Sequence, residues 1–89
     1  MKLTEAGKTF IQKATANEET LKLRFYGIYQ SGDFTIGADI DTLIDTDHII
    51  EVEGYEIGVS PEVMSKLKKA TIHAQLHTQD EGLILLNCK

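Results

Sequence analysis

Apolar and polar residues alternate along much of the chain with a period of two, which is typical of strands that bury one face. The alternating segments span residues 21–26, 33–40, 50–53, 55–59 and 71–78. Glu53-Gly54 separates two of them and predicts a tight hairpin turn. The run Leu83–Leu86 is apolar at every position, so it predicts a central strand covered on both faces.

Two segments instead show the signals of helices. Thr4 can cap a helix in which Ala6, Phe10, Ile11 and Ala14 recur at helical spacing. Ser60-Pro61-Glu62 combines a capping hydroxyl, a proline at the first position and an acid in the first turn, which predicts a short helix over about 61–69. Val63, Met64 and Leu67 are expected to cover the sheet from this helix.

The pattern therefore predicts a mainly β (α+β) protein with about seven mostly antiparallel strands. An N-terminal helix and the second short helix lie against them. Residues 27–32 and 41–47 are expected to be loops. At 89 residues the chain is expected to form a single domain, residues 1–89.

Composition narrows the classes of partner. The net charge of −5 leaves no basic field for nucleic acid, and Lys66, Lys68 and Lys69 are expected only to complement the end of the second helix. No apolar run approaches the roughly 20 residues that cross a bilayer, and no signal peptide is evident. A single cysteine fits a reducing compartment, so we expect a cytoplasmic protein without membrane or nucleic-acid contacts.

The candidate chemical groups predict no catalytic residue. His73 and His77 would lie about 13 Å apart on one strand, too far to share a metal, so both are expected to be exposed polar side chains. Asp39, Asp41, Asp45 and Asp47 lack the glycine and terminal glutamate of an EF-hand loop and are expected to form a solvated acidic loop. Nothing has the spacing of a nucleophile elbow or a phosphate-binding loop.

Cys88 is the single thiol. A catalytic thiolate needs a neighbouring base and a rigid setting, and a residue one position from the end of the sequence is usually poorly held. Because a metal or cluster takes about four ligands, Cys88 can be a metal ligand only between subunits.

Six features follow one another along the chain: the Leu3-Thr4-Glu5-Ala6 opening, the Leu21–Phe25 strand leading into a glycine turn, the Gly54 hairpin, the helix from Pro61, the Thr71-Ile72 strand and the Gly82–Asn87 strand. In this order they resemble the HesB-like, A-type iron–sulfur carrier family over nearly the whole chain. This resemblance implies a compact sandwich or pseudo-barrel and a role in iron–sulfur cluster biogenesis.

The cysteines of that family do not carry over. Its first ligand lies in a Gly-x-x-Cys-x-Gly turn, which here reads Gly27 to Gly32 with Gln30 at the cysteine position. The family's closing Cys-Gly-Cys follows the strand that here ends at Asn87, and Cys88 falls where the family has proline. A cluster would therefore need ligands from another subunit, a small molecule or a client.

Two functions remain open at this point. The chain is either a non-enzymatic, degenerate member of the cluster-biogenesis family, which keeps its protein partners, or a cofactor-free regulatory module on the same scaffold. Iron–sulfur assembly proteins are the partners that the resemblance implies, and a homo-oligomer is compatible with the short chain. The predicted binding residues are Tyr29, Gln30 and Ser31, at the turn where the relatives hold their first cysteine, and the regulatory function in particular predicts a contact there.

Overall fold

The structure is a computed structural model, and it describes residues 1–16, 18–75 and 82–87. Seven strands and two helices lie in these ranges. In chain order they are β1 (Lys2–Leu3), α1 (Glu5–Thr15), β2 (Lys22–Gln30), β3 (Asp33–Asp41), β4 (His48–Val52), β5 (Tyr55–Val59), a 3-10 turn (Pro61–Val63), α2 (Met64–Leu67), β6 (Thr71–Gln75) and β7 (Gly82–Leu86). The mainly β, α+β fold class predicted from the sequence is confirmed.

The strands form two sheets. One has the order β3-β2-β5-β4 and the other the order β1-β6-β7. Antiparallel pairing predominates, as predicted, but β2 pairs with β5 and β1 pairs with β6 in parallel, so both sheets are mixed. Because a parallel pair needs a crossover, β3 and β4 carry the chain from β2 to β5, whereas residues 4–70 connect β1 with β6.

A single apolar core joins the two sheets and the helical segments. Leu23, Phe25 and Ile57 from the larger sheet meet Ile72 from the smaller one, and Leu67 of α2 belongs to the same buried cluster. Val63 is also fully buried, which confirms that the second helical segment covers the sheet. The opposite side of the four-stranded sheet, called the outer face here, carries Arg24 and Gly58 in register on neighbouring strands.

The N-terminal helix begins as predicted and buries a different stripe. Thr4 Oγ1 accepts a hydrogen bond from the backbone N–H of Gly7 at 3.1 Å, so the capping role is confirmed. The buried residues of α1 are Gly7 and Ile11, whereas Ala14 is exposed. Gly7 is buried because the helix approaches β6 so closely that a Cβ atom there would lie 2.6 Å from the carbonyl oxygen of Ile72.

Three local predictions need correction. Ser60 precedes the helical segment but makes no side-chain cap bond, because its hydroxyl lies 3.5 Å from Asp47 Oδ1. The predicted helix over 61–69 is a 3-10 turn followed by a single α-helical turn that ends at Leu67. The apolar run of β7 does not mark a central strand: β7 lies at the edge of its sheet, and Leu83 and Leu85 pack against the core from there.

Residues 76–78 of the predicted sixth strand, including His77, lie outside the described residues, as does Cys88. Among the described residues, no helix is long and apolar enough to cross a membrane.

Candidate functional site

The candidate site lies at the tip of a long hairpin formed by β2 and β3. The two strands pair without interruption from Lys22↔Asp41 to Gln30↔Asp33. Ser31 and Gly32 alone form the turn, with φ angles of 50° and 84°. Two consecutive residues of positive φ match the right-handed twist of antiparallel strands, and Gly32 adopts that conformation at little cost.

The prediction of a loop over residues 27–32 was therefore wrong, since β2 continues through Gln30. Gly27 is a strand residue whose missing side chain makes room for close packing. A Cβ atom at this position would lie 2.6 Å from Phe34 Cε2 and 2.8 Å from Glu62 Cγ. Glycine inside a strand often marks such a close approach rather than a turn.

The structure places the three predicted site residues next to one another at the tip. Tyr29 and Gln30 end β2, and Ser31 opens the turn. All three are exposed, and the exposed fraction of Tyr29 is 73%. We call Tyr29, Gln30 and Ser31 the hairpin tip. It offers a phenol, a neutral amide and a hydroxyl, which are groups suited to hydrogen bonding and aromatic contact with a protein surface.

Tyr29 is supported from the neighbouring strand. It lies directly opposite Phe34, and the two ring centroids are 4.9 Å apart with a tilt of 53° between the ring planes. Lys66 Nζ of α2 lies 5.2 Å from the centroid of Phe34, within the range of a cation–π contact. Sequence reasoning missed Phe34 and Lys66. A two-residue turn at Ser31-Gly32 is the signal that pairs Tyr29 with Phe34.

The base of the hairpin is fixed to the helical segment. The backbone N–H of Gly27 donates to Glu62 Oε2 at 3.1 Å, and the backbone N–H of Ser60 donates to the carbonyl oxygen of Phe25 at 2.9 Å. These bonds hold β2 against residues 60–62 just below the tip. The exposed side chains therefore extend from a supported base.

Of the predicted acidic loop, Asp39, Asp41 and Asp45 are exposed, but Asp47 is not. The Asp47 side chain is fully buried and binds Arg24 through two hydrogen bonds, so a fully solvated loop was the wrong prediction for this residue. The Arg24 guanidinium lowers the pKa of the Asp47 carboxyl, and the backbone N–H of Ile44 contributes to the same shift.

His73 also differs from the prediction of an exposed side chain. It is half-buried, and its Nδ1 lies 2.7 Å from Thr4 Oγ1. The hydrogen bond to the N-cap residue of α1 thus accounts for the position of the His73 imidazole without a bound metal. Among the described residues, no group of three or more His, Cys, Asp or Glu side chains is arranged to hold a metal ion.

Comparison with solved structures identifies the fold. SufA of Escherichia coli, described as involved in the biosynthesis of iron–sulfur clusters, superposes with a TM-score of 0.78 at 18% sequence identity, covering 99% of this chain and 80% of SufA. IscA, solved with a [2Fe-2S] cluster, gives a TM-score of 0.74 at 15% identity, covering 97% of this chain and 83% of IscA. No family model and no curated protein matches the sequence. The chain therefore has the HesB-like fold of the A-type iron–sulfur carriers.

The hairpin tip does not suit an iron–sulfur cluster. Cluster iron is bound by thiolates or, in some centres, by imidazoles. The tip offers the neutral amide of Gln30 beside the phenol of Tyr29 and the hydroxyl of Ser31.

Proposed function

We propose that this chain is a non-enzymatic, degenerate member of the HesB-like iron–sulfur biogenesis family, which acts by binding protein partners in the cytoplasm and does not carry a cluster through the usual three cysteines. The observation that carries the proposal is the HesB-like fold over nearly the whole chain, combined with an exposed, braced hairpin tip. The resemblance of the sequence to the family supports it further, because it implies that Gln30 replaces the first cysteine.

The geometry of the tip supports partner binding over cluster carriage. Tyr29 is the most exposed large apolar side chain among the described residues, at 73%. Its ring is nevertheless held by Phe34, so little rotamer freedom is lost when a partner covers it. Rigid aromatic side chains with a polar end are enriched at the energetic centres of protein interfaces. Iron–sulfur assembly proteins are the partners that the fold suggests.

The first test asks whether the protein carries a cluster. The wild-type protein and Cys88→Ser are purified without oxygen and assayed for iron, acid-labile sulfide and visible absorption. We expect neither protein to contain stoichiometric iron or sulfide. Iron and sulfide in the wild-type protein that are lost in Cys88→Ser would show cluster carriage between subunits and would overturn this part of the proposal.

The second test locates the partner surface. The tagged wild-type protein is incubated with cell extract, and recovered iron–sulfur assembly proteins are identified by mass spectrometry. The double variant Tyr29→Ala/Gln30→Ala is compared with Ile49→Ala, which removes an exposed apolar side chain from β4. We expect recovery of assembly proteins to fall about 10-fold or more for the tip variant, as for a hot-spot residue, and to be unchanged for Ile49→Ala. Equal recovery by the two variants contradicts the role of the tip.

The second function, a cofactor-free regulatory module, predicts the same loss in the tip variant with a different set of partners. Recovery of partners that do not belong to iron–sulfur assembly would favour it over the first. The fold by itself does not distinguish the two functions.

A further inference from the structure

A groove lies at the other end of β2 from the hairpin tip, where α1 ends and where β2 and β5 begin. Its volume is about 430 Å³. It is lined by Ile11, Thr15, Glu18, Glu19, Leu21, Lys22, Leu23, Glu51, Gly54, Tyr55 and Glu56. Gln30 lies eight residues along β2 from Lys22 at the edge of the groove, a distance of about 27 Å. The groove is therefore separate from the proposed partner surface at the tip.

The floor of the groove is apolar. Ile11 and Leu23 form its deepest part, with exposed fractions of 4% and 2%, and the half-buried Leu21 and Tyr55 extend it outwards. The phenol oxygen of Tyr55 accepts a hydrogen bond from Gln12 Nε2 at 2.7 Å, which links this wall of the groove to α1. Because Ile11 and Leu23 are almost completely covered, Leu21 and Tyr55 supply most of the apolar surface that an aliphatic side chain placed here would bury.

The rim of the groove is acidic. Among the described residues it carries four carboxylates, Glu18, Glu19, Glu51 and Glu56, and one ammonium group, that of Lys22. Lys22 Nζ lies 3.4 Å from Glu56 Oε1, so its positive charge offsets mainly the negative charge of Glu56. Glu18, Glu19 and Glu51 are exposed, and no ion pair within the described residues is recorded for them.

Two rim carboxylates also oppose each other across the strands. Glu51 of β4 is the direct cross-strand partner of Glu56 of β5. Like charges in directly opposite positions destabilise a sheet, so this pair costs stability in the free protein to the extent that Lys22 leaves the charge of Glu56 unbalanced. A positively charged group bound between them would remove that cost. The pair is thus an observation, separate from the shape of the groove, that points to a cationic ligand.

We infer that this groove binds a segment of a partner protein in which basic side chains flank an aliphatic one. The aliphatic side chain packs against Leu21 and Tyr55, above the buried Ile11 and Leu23. The Lys or Arg side chains extend to the rim, where they meet Glu19 and the Glu51–Glu56 pair. Charge complementarity selects this occupant, because a second copy of a chain with net charge −5 would bring further negative charge to an acidic rim.

The test uses three synthetic seven-residue peptides as probes. One alternates lysine and leucine, one alternates lysine and serine, and one alternates glutamate and leucine. Binding to the ¹⁵N-labelled full chain is followed by amide chemical shifts at low salt. We expect the lysine–leucine peptide to bind and to shift amides of residues 18–23 and 51–56, with the lysine–serine peptide at least about 5-fold weaker because it buries no apolar surface. The glutamate–leucine peptide should not bind.

Two double variants with equal charge change separate the groove from general attraction to an acidic protein. Glu19→Gln/Glu51→Gln neutralises two carboxylates on the rim, and Asp33→Asn/Asp45→Asn neutralises two exposed carboxylates outside the groove. We expect the rim variant to weaken binding of the lysine–leucine peptide about 5-fold to 10-fold, as for the loss of two exposed ion pairs, and the control variant less than 2-fold. The rim variant should unfold at an equal or higher temperature, since it relieves the Glu51–Glu56 repulsion.

Four results would overturn the inference. The first is absence of binding by the lysine–leucine peptide at millimolar concentration. The others are shifts that map outside residues 18–23 and 51–56, equal binding by the lysine–leucine and lysine–serine peptides, and equal weakening by the two double variants. None of these results bears on the hairpin tip, so the inference and the proposed function can fail separately.

Discussion

Arg24 and Asp47 form a two-pronged ion pair on the outer face of the four-stranded sheet, with Nε to Oδ2 at 2.6 Å and Nη2 to Oδ1 at 2.9 Å. The same carboxylate accepts the backbone N–H of Ile44 at 3.1 Å and lies 3.5 Å from the hydroxyl of Ser60. The pair therefore ties the β3–β4 connection both to β2 and to the start of the helical segment. Because those two elements meet at the base of the hairpin, the ion pair helps to brace the hairpin tip.

Replacing the buried carboxylate should destabilise the fold. The Arg24 side chain is only 13% exposed, and Asp47→Asn leaves its guanidinium without a charged partner. Removing one member of a buried pair costs about 3–5 kcal/mol, and we expect about 2–4 kcal/mol here because Arg24 keeps some contact with water. Urea unfolding followed by circular dichroism measures the loss. Asp45→Asn in the same connection is the control and should change stability by less than about 0.5 kcal/mol; similar losses in both variants contradict the assignment.

The Arg24–Asp47 ion pair should make the free energy of unfolding depend on pH in the acid range. Hydrogen bonding from Arg24 lowers the folded-state pKa of Asp47 below that of the unfolded chain, whose ordinary value is about 3.9. A depressed carboxyl pKa adds stability that is fully present above the unfolded value and is lost as the pH falls through the folded value. Urea unfolding between about pH 7 and pH 2 should therefore show a smaller acid-induced loss for Asp47→Asn than for the wild-type protein. Parallel pH profiles would contradict this linkage.

Gly7 should resist a change that helix propensity alone favours. Alanine is the better helix former by about 1 kcal/mol. In this protein, however, a Cβ atom on Gly7 would lie 2.6 Å from the Ile72 carbonyl oxygen, a backbone atom that cannot rotate away. We expect Gly7→Ala to lower the free energy of unfolding by about 1–3 kcal/mol, as for overpacking elsewhere. Chemical unfolding is the measurement.

Gly82 is the matched control for this change. A Cβ atom there meets no heavy atom of the described residues within 4 Å, and Gly82 does not have a positive φ. Gly82→Ala should therefore leave stability unchanged or raise it slightly. A stabilising effect of Gly7→Ala would show that α1 can move away from β6, contrary to the close approach in the structure.

The features of the fold that could be predicted from the sequence depend on neighbours along the chain. The Thr4 cap, the Glu53-Gly54 turn and the alternation around Leu23 and Phe25 follow from backbone geometry and periodicity within a few residues. The parallel pairing of β2 with β5 could not be predicted in this way, because no local pattern specifies which distant strand becomes the neighbour. Nor does local sequence reveal that Asp47, in an acidic loop, is buried against Arg24.

The candidate site also combines features that local sequence determines with features that distant contacts determine. Tyr29, Gln30 and Ser31 lie together because they are adjacent in the chain, but the sequence pattern wrongly predicted that Gly27 belongs to a loop. A glycine required for close packing against Phe34 cannot be distinguished from a turn glycine by residue type alone. Assigning Gly27 to a strand would have required the register in which β2 and β3 pair. The turn at Ser31-Gly32 fixes that register, but only once the turn is known to have two residues.

The hydroxyl of Thr4 connects the first helix to the smaller sheet, and its removal gives a final prediction. It accepts the N–H of Gly7 at 3.1 Å and lies 2.7 Å from Nδ1 of His73, so Thr4→Ala deprives both groups of their partner. We expect a loss of about 1–2 kcal/mol in the free energy of unfolding, with faster hydrogen exchange at the Gly7 amide. Thr4→Ser keeps the hydroxyl and should recover most of the stability and the slow exchange. If Thr4→Ser is as unstable as Thr4→Ala, the methyl group of Thr4 rather than its hydroxyl stabilises this junction.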